Sequence, residues 1–190
     1  WMVLKSTPNK IFPRSRGQNF SKEVLRNKPA VLYISAYTLH SWEVLGMWAW
    51  APAFLSACLM FQGSETWAAA GGGSQIVSLF HMMSMLASFT MGALSDRLGR
   101  AFMILVIASI STVCSFVMGW TIGLPFVVII AIGMIYSFTA LGDSPILSAG
   151  ITESVDPSYL GAAFALRSFL GFGAGAIAPL VFGAVLDWTN

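Results

Sequence analysis

Gly92-Ala93-Leu94-Ser95-Asp96-Arg97-Leu98-Gly99-Arg100 is a short charged stretch set between two apolar runs, each long enough to cross a lipid bilayer. A helix of about 20 apolar residues spans the hydrocarbon, and a chain that crosses repeatedly must keep its charges in the water-facing connections. Asp96, Arg97 and Arg100 occupy such a connection. Gly92 and Gly99 let the two helix ends approach and the chain reverse, and Asp96 can pair with Arg97, Arg100 or the positive N-terminal end of a neighbouring helix. The stretch reads as a tight turn able to act as a latch.

Composition points the same way. Hydrophobic residues make up 56% of the 190 and charged residues 9%, with a mean hydropathy of +0.75. Soluble domains carry about 25% charge, so a soluble core is excluded. Cys58 and Cys114 both fall in apolar runs and read as small hydrophobes, not as a disulfide or metal site. The formal net charge of +2 hides an uneven distribution, because Lys5, Lys10, Arg14, Arg16, Lys22, Arg26 and Lys28 all precede the first apolar run. This leader lacks a short apolar core with a cleavage site, and no initiator Met opens the chain, so a piece of a longer protein is expected. With little aromatic interleaving, the leader gives no nucleic-acid module.

The apolar pattern predicts an all-α, polytopic transmembrane bundle of about five spans after a basic loop over 1–29. The spans run from Val31 to Phe61, bent or broken near Pro52, from Ser74 to Ser95, from Ala101 to Trp120, from Leu124 to Ala149, and from Pro157 to Leu186. Asp156-Pro157 suits a helix start, since Asp caps free N–H groups and Pro fits the first turn. If the first two spans form a hairpin, the leader and the Arg97/Arg100 turn share one side, which the positive-inside rule makes cytoplasmic. Nine of the ten Lys and Arg residues lie there. The connection from Gln62 to Gly73 and the C-terminal Asp187-Trp188-Thr189-Asn190 then face outside a plasma or bacterial inner membrane.

The turn from Gly92 to Arg100 resembles the cytoplasmic signature Gly-x-Leu-x-Asp-Arg-x-Gly-Arg of the major facilitator superfamily of secondary transporters, matching it at every fixed position. In that family the signature joins the second and third helices of each six-helix half, which is where it falls here. The basic leader is similar to the loop between the family's halves, so the resemblance, over about residues 29 to 190, implies a C-terminal half without its last helix. It also implies a small-molecule substrate, alternating access, and a latch acting against an N-terminal half. Gly171, Gly173, Gly175, Pro179 and Gly183 resemble the family's Gly- and Pro-rich fifth helix, but Ala178 stands where the antiporter version has Gly before Pro. Export by antiport is not supported by that motif.

Read mechanically, Gly171, Gly175, Pro179 and Gly183 recur every four residues and form a smooth strip for close helix packing, with or without a part in rocking.

Ionisable groups within apolar spans are the best pointers to function, because a charge at bilayer depth costs at least about 2.5 kcal/mol and must face a cavity or a partner. Tyr33, Ala36, His40, Glu43, Met47 and Trp50 share a helical face expected to line a central pathway. A carboxylate beside an imidazole can exchange protons near neutral pH, or can form a buried pair that only orients the helix. Trp50 is a candidate binding surface, while Trp42 and Trp48 read first as interface anchors. Arg167 lies about 15 Å along the fifth span and cannot discharge itself, so it needs an anionic partner or ligand. Facing the cavity, it would favour an anionic or carboxylate-bearing solute. Asp143 reads as a solvated helix end near the close of the fourth span, and His81 as a hydrogen-bonded histidine between helices.

Ala140-Leu141-Gly142-Asp143 is close to the Gly-x-Gly-Asp of intramembrane aspartyl proteases but differs at Ala140, and the Tyr-Asp those enzymes also need does not occur. Without a metal cluster, phosphate loop or catalytic triad in the sequence, neither an enzyme nor a cofactor is expected. The expectation is a multi-pass carrier of symporter type, proton-coupled, with His40, Glu43, Trp50 and Arg167 in its pathway. The alternative is a non-transporting sensor or assembly protein on the same scaffold.

Overall fold

The computed structural model describes residues 12, 13, 17 and 19–189. Lys5, Lys10, Arg14 and Arg16 of the basic leader, and Asn190, lie outside the described residues. The described elements are all helical. Five helices are long and apolar enough to cross a membrane: α1 (Lys28–Phe61), α3 (Gly72–Leu98), α4 (Arg100–Met118), α5 (Phe126–Ser154) and α6 (Leu160–Thr189). A short α2 (Glu65–Ala69) lies in the connection between α1 and α3, and a single π-helical turn, Ser21–Leu25, precedes α1. This is a multi-pass membrane protein.

Local chemistry sets the helix ends. Asn27 caps α1, its side chain accepting from the Ala30 N–H at 3.3 Å, with Pro29 in the first turn. The same side chain donates to the Ser154 carbonyl at 2.6 Å, tying the start of α1 to the end of α5. Asp156 caps the 3₁₀ turn Pro157–Tyr159 that leads into α6, accepting from the Ser158 N–H at 2.9 Å. The reversal between α3 and α4 rests on one residue, Gly99, whose φ of +94° lies in a region that L side chains disfavour.

Several expectations need correction. α3 continues to Leu98, so Asp96 and Arg97 sit on its last turn and the connection is a single glycine. Gly92 is not needed for the reversal: it lies inside α3, where an added Cβ would meet Pro145 Cβ at an ordinary 3.6 Å. Of the bend or break expected at Pro52 the break is absent, since α1 is one helix, and α5 runs through Pro145 to Ser154, five residues past its expected end at Ala149. The leader's last residues are not a loose loop, because Val24 is fully buried against Ile34, Ile151 and Tyr159.

Packing is organised around two helices. α1 carries α6 on one side and meets α3 and α5 on the other, while α5 packs against α3 and α4. Glycines let these helices close. An added Cβ at Gly175 would fall within the Leu45 side chain and 3.0 Å from the Ser41 carbonyl, and one at Gly171 would lie 2.8 Å from Ser41 Oγ. With Gly183 under the Trp50 ring, the small-residue strip of α6 lies against α1. Between α3 and α5, Ser84 Oγ and Ser137 Oγ are 2.7 Å apart and Ser137 donates to the Phe80 carbonyl, a buried polar seam inside apolar surroundings. The outer faces are greasy: Phe89, Phe116 and Phe169 are 75%, 78% and 77% exposed, as lipid-facing side chains would be.

Candidate functional site

The helices alternate in direction, so the bundle has two ends. The turn end gathers the starts of α1, α4 and α6 with the finishes of α3 and α5. At this end Arg100, the first residue of α4, is a hub. Its Nε and Nη2 grip the Glu153 carboxylate of α5, with Nε to Oε2 at 2.8 Å. Nη1 donates to Ser95 Oγ at 2.8 Å, and Nη2 lies 2.7 Å from Asp96 Oδ1, both on α3. A planar guanidinium suits this work because its fork of donors reaches several acceptors at once. Arg97 is exposed.

Further into the bundle Arg167, the His40 and Asp143 pair, and Glu43 occupy successive levels. Arg167 lies about 10 Å along α6 from Leu160 by helical rise. Its guanidinium stacks on Tyr37, 4.0 Å from the ring centroid, and on Phe164 at 4.9 Å, while Nη1 donates to Ser148 Oγ at 2.7 Å. Its Nε is buried with no hydrogen-bond partner. Among the described residues no carboxylate forms an ion pair with it.

The next level, about 17 Å in, holds His40 of α1 and Asp143 of α5. Nδ1 and Oδ1 are 2.7 Å apart and the two side chains are 5% and 15% exposed. Neither atom has a well-directed hydrogen bond, so the contact is a close approach set by the packing of α1 on α5. Beside it lies a void of about 130 Å³ bordered by His40, Ser41, Ser144 and Trp48. Its walls are mostly apolar, with Val44, Leu45, Leu141 and Phe172 beside the polar groups of His40, Ser41 and Ser144. Asp143 is therefore not a solvated helix end. The depth follows from the extra residues of α5, which set it about 16 Å from Ser154.

Glu43 lies one level further, about 22 Å along α1. Ser111 Oγ of α4 donates to its Oε1 at 2.6 Å, and the Tyr136 hydroxyl of α5 reaches both Glu43 and Ser115. His40 and Glu43 do not pair with each other. Three residues of helix leave their side chains about 60° apart around the axis, so one turns to α5 and the other to α4.

Glu43 stands on the wall of a cavity of about 740 Å³ that extends to the far end between α1, α3, α4, α5 and α6. Trp42, Trp50, Phe54, Phe80, Tyr136 and Phe182 give it an aromatic lining. Two of these rings sit flush on helix backbone because the opposing residue is glycine: an added Cβ would enter the Phe182 ring at Gly46 and the Phe80 ring at Gly133. Trp50 Nε1 donates to the Pro179 carbonyl at 3.1 Å, which fixes its ring between α1 and α6. Trp42, read as an anchor, lines the cavity too, whereas Trp67, Trp120 and Trp188 are exposed at the far end, where an interfacial belt would lie. Trp48 instead meets the edge of His81, at 4.9 Å between ring centroids.

Of the pathway residues expected from sequence, Glu43 and Trp50 line the cavity, His40 borders the smaller void, and Arg167 touches neither. Sequence reasoning missed Ser111, Tyr136 and Ser148, which carry no motif, and undervalued Asp143. Among the described residues no group of three His, Cys, Asp or Glu could hold a metal ion. Comparison with protein families, curated proteins and solved structures finds no match for this chain.

Proposed function

We propose that this chain is part of a secondary active carrier of the major facilitator type, with a small solute in the Glu43 cavity and a proton pathway through His40, Asp143 and Glu43. The observation that carries the reading is a lone carboxylate on the wall of a large cavity within a five-span bundle, with a second titratable pair one level below it. A carboxylate at that depth is costly unless water, a proton or a cargo reaches it. The polar levels along α1 give a proton a series of stations between the turn end and the cavity.

The Arg100 hub supports the latch. It joins three helices at one end through contacts that water can replace, as an end that opens and closes requires. The turn end is read as cytoplasmic, with the hub holding one conformation against an N-terminal half of the same transporter. An anionic substrate has less support, since Arg167 is outside the cavity.

The test is solute flux in proteoliposomes containing the intact protein, with and without an imposed pH gradient. Gradient-driven accumulation that loses its proton dependence in Glu43→Gln or Asp143→Asn supports the reading. A protein that moves no solute under either condition is a sensor or assembly protein. Proton dependence unchanged in both variants removes these carboxylates from coupling.

A further inference from the structure

We propose that the Glu43 cavity selects a monovalent organic cation with a ring-bearing, apolar body, the carboxylate serving as its counter-charge and Trp42, Trp50 and Tyr136 as its aromatic walls. This names the substrate class of the site above and rests on the carrier reading.

Charge decides the sign. Among the described residues, Glu43 is the only acidic one on the lining, and none there is Lys, Arg or His. Arg100 is at the turn end, and Arg167 is held on Tyr37 and by Ser148, about 10 Å into α6, below the cavity floor. An anion entering the cavity would meet Glu43 with no positive group among the described lining residues to offset it. A cation would meet a carboxylate held in place by Ser111 at 2.6 Å and would relieve the cost of keeping that charge at membrane depth.

Shape and surface decide the rest. A volume of about 740 Å³ falls in the range of small-molecule sites, about 300–1,000 Å³. It is far more than an inorganic ion requires. The polar groups cluster at Glu43, Tyr136 and Ser115, leaving most of the wall aromatic or aliphatic, so a strongly hydrated solute would lose its water without replacement. Aromatic faces attract organic cations through their ring quadrupoles. These rings are already oriented, Trp50 by its bond to the Pro179 carbonyl and Trp42 by an edge contact with Phe182 at 6.2 Å. Little side-chain ordering remains to be done on binding.

Two ions of nearly the same shape and opposite charge provide the test. The intact protein in nanodiscs is dialysed to equilibrium against tetraphenylphosphonium or tetraphenylborate, with retention by empty nanodiscs subtracted. The expected result is saturable retention of tetraphenylphosphonium only, weakened about tenfold or more in Glu43→Gln and kept in Glu43→Asp. Equal saturable retention of tetraphenylborate overturns the proposal. So does undiminished cation binding by a Glu43→Gln protein whose thermal melt matches the parent. The wild-type comparison of the two ions decides even if the variant does not fold. Glu43-dependent binding of a cation that is never carried in the flux assay removes the carrier reading and leaves the site standing. Proton-linked flux of other solutes with no cation retention does the reverse.

Discussion

At the turn end Arg100 joins α3, α4 and α5 through Ser95, Asp96 and Glu153, whereas at the far end the same three helices part around a cavity of about 740 Å³. The first arrangement is electrostatic and half in water: the Asp96 and Glu153 side chains are 61% and 58% exposed. The second is steric and mostly apolar. Rings rest on glycine backbone, and α6 is held to α1 by the fit of Gly171, Gly175 and Gly183 against Ser41, Leu45 and Trp50. The contrast teaches that one bundle can keep an end that solvent can loosen next to an end shaped to enclose something. His40 and Asp143 lie between the two.

Substitutions should separate these regimes, and the largest effect is expected at the boundary. His40→Ala leaves Asp143 buried opposite a void and should cost about 3–5 kcal/mol in a detergent thermal-melt or denaturant series. Replacing both partners by Leu should recover most of that loss. If His40→Ala melts like the parent, the pair contributes nothing to the join between α1 and α5.

Gly175→Val tests the steric end. With Leu45 and the Ser41 carbonyl in the way, it should destabilise the protein by about 2–3 kcal/mol regardless of salt. Cysteine accessibility along α6 should rise at the same time. Unchanged stability and labelling would mean that α6 does not depend on this fit.

Arg100→Ala should cost about 2 kcal/mol, less than the number of its bonds suggests because two partners are largely in water. Unlike the effect of Gly175→Val, this loss should shrink when salt is raised from about 0.05 to about 1 M. A salt-independent loss would make Arg100 a packing residue and erase the contrast between the ends. Glu153→Gln, which removes the charge of an exposed partner and leaves one acceptor where Arg100 now has two, should cost about 0.5–1 kcal/mol. Its clearer readout is altered accessibility of cysteines placed near Ser154.

Much of the fold can be read along the chain. The spans, Asp156-Pro157 as a start and Gly99 as a reversal are local properties, set by hydropathy, capping and backbone freedom. The expected end of α5 at Ala149 took the residues from Gly150 onward as a connection, whereas they continue the helix to Ser154. Flanking helices can satisfy the carbonyl that a proline frees in a membrane, so the helix continued and carried Asp143 to depth. Glu43 and Trp50 were visible as polar or amphipathic groups in an apolar run. Their partners were not, because Ser111 and Tyr136 are ordinary residues until α4 and α5 bring them to Glu43.

The sequence by itself determined that the chain crosses a membrane several times, where it turns, and which few ionisable groups are stranded in lipid-length helices. Those outcomes follow from transfer energies and backbone constraints that each segment meets alone. The tertiary structure decided who pairs with whom: His40 with Asp143 in place of Glu43, Arg100 with Glu153, and Arg167 with the Tyr37 ring outside the cavity. Such pairings depend on the rotation and depth of one helix against another, which side-chain packing sets only when the helices come together.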